Sequence, residues 1–202
     1  MRFHPFVKCF LMAGLLLAMP IARPAHADAG VSSGATAPHP LVAVMEAIRK
    51  DHPKVARITP EAFAALPAEA RADIVILDVR EDEEFRVSHI DGARRAAPGM
   101  NNEEFSRSIG LDVRGKPIYV YCSVGRRSAR FAERMAKAAS AAGATGITSI
   151  EGGIFRWHNE GRPLVNASGP TTEVHGYDRT WGRLVDDGSK AVLTPGGPPI
   201  GN

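Results

Sequence analysis

The chain is 202 residues long, 44 % hydrophobic and 23 % charged, with 25 basic against 22 acidic residues. Three of the basic residues, Arg2, Lys8 and Arg23, lie in an N-terminal segment expected to be removed, which leaves 22 of each sign, so the basic balance of the full chain is no argument for binding nucleic acid or a membrane surface. Any positive field must be local, and without an internal repeat the length excludes a tandem pair of domains.

Arg2 and Lys8 form a basic start, Cys9 to Ala22 is almost wholly apolar, and Ala25-His26-Ala27 supplies small residues at the spacing a signal peptidase reads. A retained anchor is the competing reading, but a membrane span needs about 20 apolar residues and this run is shorter. Residues 1–27 are therefore expected to be a cleavable signal peptide, the mature chain beginning at Asp28 in the periplasm or outside the cell. Export bears on the cysteines. Cys9 leaves with the signal, so Cys122 becomes the lone thiol of a chain that cannot form an internal disulfide.

Residues 28–54 read as a flexible, partly helical leader: Gly, Ser, Ala and Pro up to residue 40, then Leu41, Val44, Met45 and Ile48 at helical spacing until Pro53. That helix either packs on the domain or acts as a spacer. The compact domain is expected over residues 55–165. Val55 to Ile58 is a short strand candidate, and Thr59-Pro60-Glu61 reads as a helix start whose apolar face carries Phe63 and Leu66. The run Asp73 to Asp78 suits a strand buried on both faces. A helical turn follows from Glu81 to Phe85; Gly92 breaks the chain, and Asn101 or Asn102 caps a helix through Ile109.

Pro117 to Tyr121 is the next strand candidate, stopping at Cys122. A long helix runs from Arg127 to about Ala142 with Gly143 as its C-terminal cap, then a strand from Ile147 to Ile150 and a turn at Gly152-Gly153 into Ile154 to Trp157. Strands alternating with helices argue an α/β fold with a mainly parallel sheet. Residues 166–202 form a C-terminal extension, in which Tyr177, Trp181, Leu184 and Val185 are too apolar for a fully solvated linker, so part of it is expected to pack back.

Chemistry concentrates at Cys122-Ser123-Val124-Gly125-Arg126-Arg127-Ser128. A thiol between the exposed N–H groups of a turn and the start of a helix sits where anions are favoured, and reactive thiols occupy such electropositive places. Gly125 permits backbone conformations that bulkier residues resist, Arg127 braces the loop or pairs with an anion, and Arg126 is a second cation. Cys122 is thus the candidate nucleophile; the competing reading is a buried, inert cysteine. The histidines at 39, 52, 89, 158 and 175 show no metal-ligand spacing, and no cofactor is expected.

Three stretches in order resemble the rhodanese-like domain family across roughly Val55 to Val165: Asp78-Val79-Arg80 with Glu84-Phe85 and Ser88-His89-Ile90-Asp91-Gly92-Ala93; the Cys122 loop; and Glu151-Gly152-Gly153-Ile154-Phe155-Arg156-Trp157. Ser88 departs from the glycine usual before the histidine. The resemblance implies a five-stranded parallel sheet flanked by helices on both faces and a sulfurtransferase. In it the Cys122 thiolate takes the outer sulfur of a small anionic donor, thiosulfate or a persulfide, and passes it to cyanide or to a thiol, including a protein thiol. Ser123, Val124, Gly125, Arg126, Arg127, Ser128 and Arg80 are then the expected substrate-binding residues, Arg80 either lining the pocket mouth or bracing Asp78 or Glu84, while His89 and Asp78 read as framework and Trp157 as core. No nucleic acid or, after signal cleavage, membrane partner is implied. Two alternatives use the same loop. A persulfide or anion sensor would load without turnover; a cysteine-dependent phosphatase is disfavoured because Ser128 stands where its Cys-x5-Arg loop has arginine.

Overall fold

The structure is a computed structural model that describes residues 38–200. The signal peptide expected over residues 1–27 and the first part of the leader lie outside the described residues. Pro40 begins α1 (Pro40–Asp51), capped by the His39 ring, which accepts the Leu41 N–H at 3.2 Å. Of the two roles open to this helix, the structure has it packed: Leu41, Met45 and Ile48 are buried in the main core. Strand β1 (Ala56–Ile58) leads into α2 (Pro60–Ala64), where the Thr59 hydroxyl accepts the Ala62 N–H at 3.1 Å and Phe63 is fully buried. A further helical turn, α3 (Ala68–Ala72), buries nothing and has no amphipathic signature in the sequence.

Strand β2 (Val75–Asp78) is buried along its whole length, as its apolar run demands. After it come α4 (Asp82–Val87), the short edge strand β3 (Arg94–Arg95) and α5 (Asn102–Ser108). Asn101 caps α5 in a capping box with Glu104, the two exchanging backbone hydrogen bonds of 2.9 and 3.0 Å. Then follow β4 (Pro117–Tyr121), α6 (Arg126–Ala141), β5 (Gly146–Ile150) and α7 (Gly153–Asn159). The sheet is five-stranded in the order β1-β5-β4-β2-β3, every pairing parallel.

Period-two alternation sorts the two cores. Val75, Leu77, Ile118, Val120 and Cys122 face α5 and α6, joined by Phe105, Ile109, Phe131 and Met135. On the other face Ile76, Tyr119 and Tyr121 meet α1, α2 and α7, with Trp157 buried and its indole N–H donated to the Pro163 carbonyl at 2.9 Å. Each fully buried side chain of this size contributes about 1.5–3 kcal/mol by leaving water. Helices therefore cover both faces. The C-terminal extension packs on the second core: β6 (Leu164–Asn166) pairs with β7 (Gly169–Thr171), and β8 (Val174–His175) pairs with β9 (Ala191–Val192) around α8 (Arg179–Gly182). Val174, Leu184, Val185 and Ala191 are buried there. No described helix is long and apolar enough to cross a membrane.

Candidate active site

Strand β4 carries the chain to Tyr121, whose carbonyl accepts the Val79 N–H at 2.9 Å, and so aims Cys122 out of the carboxyl end of the sheet. The turn closes at Gly125, whose φ of +103° only glycine adopts without strain, and α6 begins at Arg126. In that conformation the Gly125 N–H donates to Cys122 Sγ at 3.2 Å. The first N–H groups of a helix have no intrahelical acceptor, and α6 runs for 16 residues, so its positive end faces the sulfur. Although Cys122 is 1 % exposed, it lines a cavity of about 150 Å³ together with Ser123, Val124, Arg126, Arg127, Tyr177 and Trp181.

The loop is held from behind by the start of α7. Ile154 donates its N–H to the Cys122 carbonyl at 2.8 Å and Phe155 to that of Ser123 at 3.0 Å. Gly153, with φ +57°, makes this approach possible: a Cβ there would stand 2.2 Å from the Cys122 carbonyl oxygen. The start of α7 thus clamps the peptide of Cys122. Ser128 donates to the Gly125 carbonyl at 3.0 Å and shares a 2.9 Å hydrogen bond with Ser149.

Charge at the site is organised by Glu84, on α4. Its carboxylate takes two hydrogen bonds from the Arg127 guanidinium, at 2.6 and 2.7 Å, and one from the Ser123 hydroxyl at 2.9 Å; Ser123 in turn accepts from Arg127 at 2.9 Å. Burial acting alone would raise the Glu84 carboxyl, but the hydrogen bonds and charge of Arg127 outweigh it and hold it below its ordinary range. The same pairing overcomes burial at Arg127 and raises its guanidinium above its ordinary range. Arg126 is looser: its guanidinium lies 3.4 Å from Asp51 and its side chain is 37 % exposed.

Five of the eight expected site residues, Cys122, Ser123, Val124, Arg126 and Arg127, line the cavity. Gly125 contributes through its N–H. Two of the expected residues stand outside the cavity. Arg80 is fully buried, its guanidinium paired with both Asp78 oxygens and donating to the Ser88 carbonyl at 2.6 Å, the bracing role rather than a place at the pocket mouth. Ser128 points into the protein, where it ties α6 to β5 rather than meeting the cavity. His89 and Asp78 are framework: the imidazole stacks on Phe85 at 3.9 Å between centroids, and Asp78 neutralises Arg80. Sequence reasoning missed Glu84, Tyr177 and Trp181 as site residues. Only the apolar character of Tyr177 and Trp181 in a polar extension pointed to them.

Residues 59–160 match the rhodanese-like domain. Over 82 residues the chain is 37 % identical to the uncharacterized protein YqhL of Bacillus subtilis, covering 41 % of this chain and 59 % of that protein. Over 85 residues it is 31 % identical to the thiosulfate sulfurtransferase GlpE of Shewanella oneidensis, covering 42 % of this chain and 76 % of that enzyme. Thiosulfate sulfurtransferase from Pseudomonas aeruginosa aligns with a TM-score of 0.48 at 19 % identity, over 73 % of this chain and 26 % of that one. With half of its length matched, and with the loop, the α7 clamp and the parallel sheet in place, the chain belongs to the family of rhodanese-like domains.

Proposed function

We propose that this protein is a sulfurtransferase whose carrier is Cys122, acting after export to the periplasm or beyond. The observation that carries the reading is the 3.2 Å hydrogen bond from the Gly125 N–H to Cys122 Sγ on the floor of a small cavity at the start of α6. The thiolate attacks the outer sulfur of a sulfane donor. A new S–S bond forms to Cys122, the donor's S–S bond breaks, and its electron pair leaves with sulfite or with a thiolate. The terminal sulfur of the persulfide then carries the negative charge, and the donors at the start of α6 face it. In the second step an acceptor thiolate or cyanide attacks that terminal sulfur and Cys122 leaves as thiolate.

Glu84 and Arg127 take no proton in this scheme; they hold Ser123 and the loop rigid. The name of the Shewanella relative supports the same chemistry. Initial rates at varied thiosulfate and varied cyanide test it. A double-displacement enzyme gives parallel reciprocal plots. Intersecting lines would exclude the covalent carrier, and one round of loading without turnover would identify a sensor instead.

A further inference from the structure

Two of the residues around Cys122 come from the C-terminal extension, outside the matched residues 59–160: Tyr177 and Trp181. Their placement is built rather than incidental. Tyr177 is the one described non-glycine residue with positive φ, at +67°, a conformation that costs an aromatic residue energy and persists where its surroundings enforce it. The enforcing contacts are its N–H donated to His175 Nδ1 at 3.0 Å and, one residue on, the Asp178 carboxylate accepting from the N–H groups of Thr180 and Trp181 at 2.8 and 2.9 Å. Behind them β8 and β9 are anchored by the buried Val174, Ala191 and Val192. The ring of Tyr177 lies 5.4 Å from the Arg127 guanidinium carbon, covering a cation already committed to Glu84.

Besides Cys122, the cavity therefore combines three apolar or aromatic walls, Val124, Tyr177 and Trp181, with Ser123 and two arginines, of which Arg127 is committed to Glu84 and Arg126 is only loosely paired. That is a poor match for a small dianion and a good one for a single negative charge joined to an apolar group. Resting on the sulfurtransferase reading, we infer that Tyr177 and Trp181 are specificity-determining residues that select an organic sulfane donor, a persulfide or thiosulfonate with an aromatic or apolar substituent, over inorganic thiosulfate. For a thiosulfonate, the Cys122 thiolate bonds to the terminal sulfur and the S–S bond breaks. The electron pair leaves on the sulfinate, so charge and atoms balance without an oxidant or reductant.

The test compares the full chain with Tyr177→Gly and Trp181→Ala. Glycine suits the positive φ of residue 177, so the first variant removes the ring without straining the backbone. Rates of Cys122 persulfidation are followed by intact mass with benzenethiosulfonate and with thiosulfate, and their ratio is compared. The ratio is independent of how much of each preparation is folded, since the active concentration cancels. It is expected to fall about tenfold in each variant, the worth of one lost aromatic contact. A ratio equal to that of the parent chain overturns the selective role, whereas a parent chain loaded by neither donor overturns sulfur transfer itself.

Discussion

Glu84 is 2 % exposed at its side chain and carries the charge that Arg127 and the Ser123 hydroxyl are arranged around. Removing one member of such a pair leaves the other buried and uncompensated, which costs more than the pair contributes. Glu84→Gln should lower stability by about 2–3 kcal/mol in urea unfolding and slow Cys122 loading, because the loop loses its brace. The pH dependence follows in sign. With its folded carboxyl held below the ordinary 4.5, the unfolded chain takes up the proton first as pH drops. The pair's contribution is complete above about 4.5 and is lost as pH falls through the folded value, so Glu84→Gln should flatten this acid limb of the stability curve. The two arginines separate in the same logic. Arg127→Ala should slow loading at least about tenfold and Arg127→Lys should not rescue it, since an ammonium cannot reproduce the bidentate fork. Arg126→Ala, removing the looser cation, should cost less; the reverse order would overturn these roles.

Among elements, the junction of α6 and α7 with the Cys122 loop matters most. Gly153→Ala places a Cβ 2.2 Å from the Cys122 carbonyl oxygen and 2.7 Å from that of Ser123, at a φ that already disfavours side chains. Because both obstacles are backbone, relief requires the loop to move. The expected outcome is a loss of about 3 kcal/mol in urea unfolding together with slower persulfidation. Stability lost with loading unchanged would show that the clamp is not what orients the thiol. Helix α1 reaches the same region: Ile48 Cδ1 lies 3.8 Å from where a Cβ on Gly125 would stand, and Arg49 holds Glu151 at 2.6 and 2.8 Å. A segment read as leader thus buttresses the Cys122 turn.

At the scale of the whole molecule, strands β2 and β4 were legible because central parallel strands appear as nearly unbroken apolar runs, and the caps at Thr59 and Asn101 because their side chains close the helices locally. Less was legible where long-range pairing decides. Strand β3 is two exposed arginines whose strand character comes only from its neighbour β2. Arg80 stands in sequence two places from one carboxylate, Asp78, and four from another, Glu84, and only the fold decides that it is buried against Asp78 rather than opened to the cavity. Nothing local to residues 166–200 says that Tyr177 will stand beside Cys122, which lies on a loop more than fifty residues earlier. The reading of residues 1–27 has its own check: N-terminal sequencing of chain recovered from an exporting cell should begin at Asp28, and an intact Met1 would reject the signal peptide.

The central claim is that Cys122 carries sulfur. Mass measurement of the intact chain after incubation with thiosulfate or an organic thiosulfonate addresses it directly. The account predicts a gain of one sulfur atom, removed by cyanide or a thiol and absent from Cys122→Ser. No gain with either donor, or a gain that survives Cys122→Ser, contradicts it.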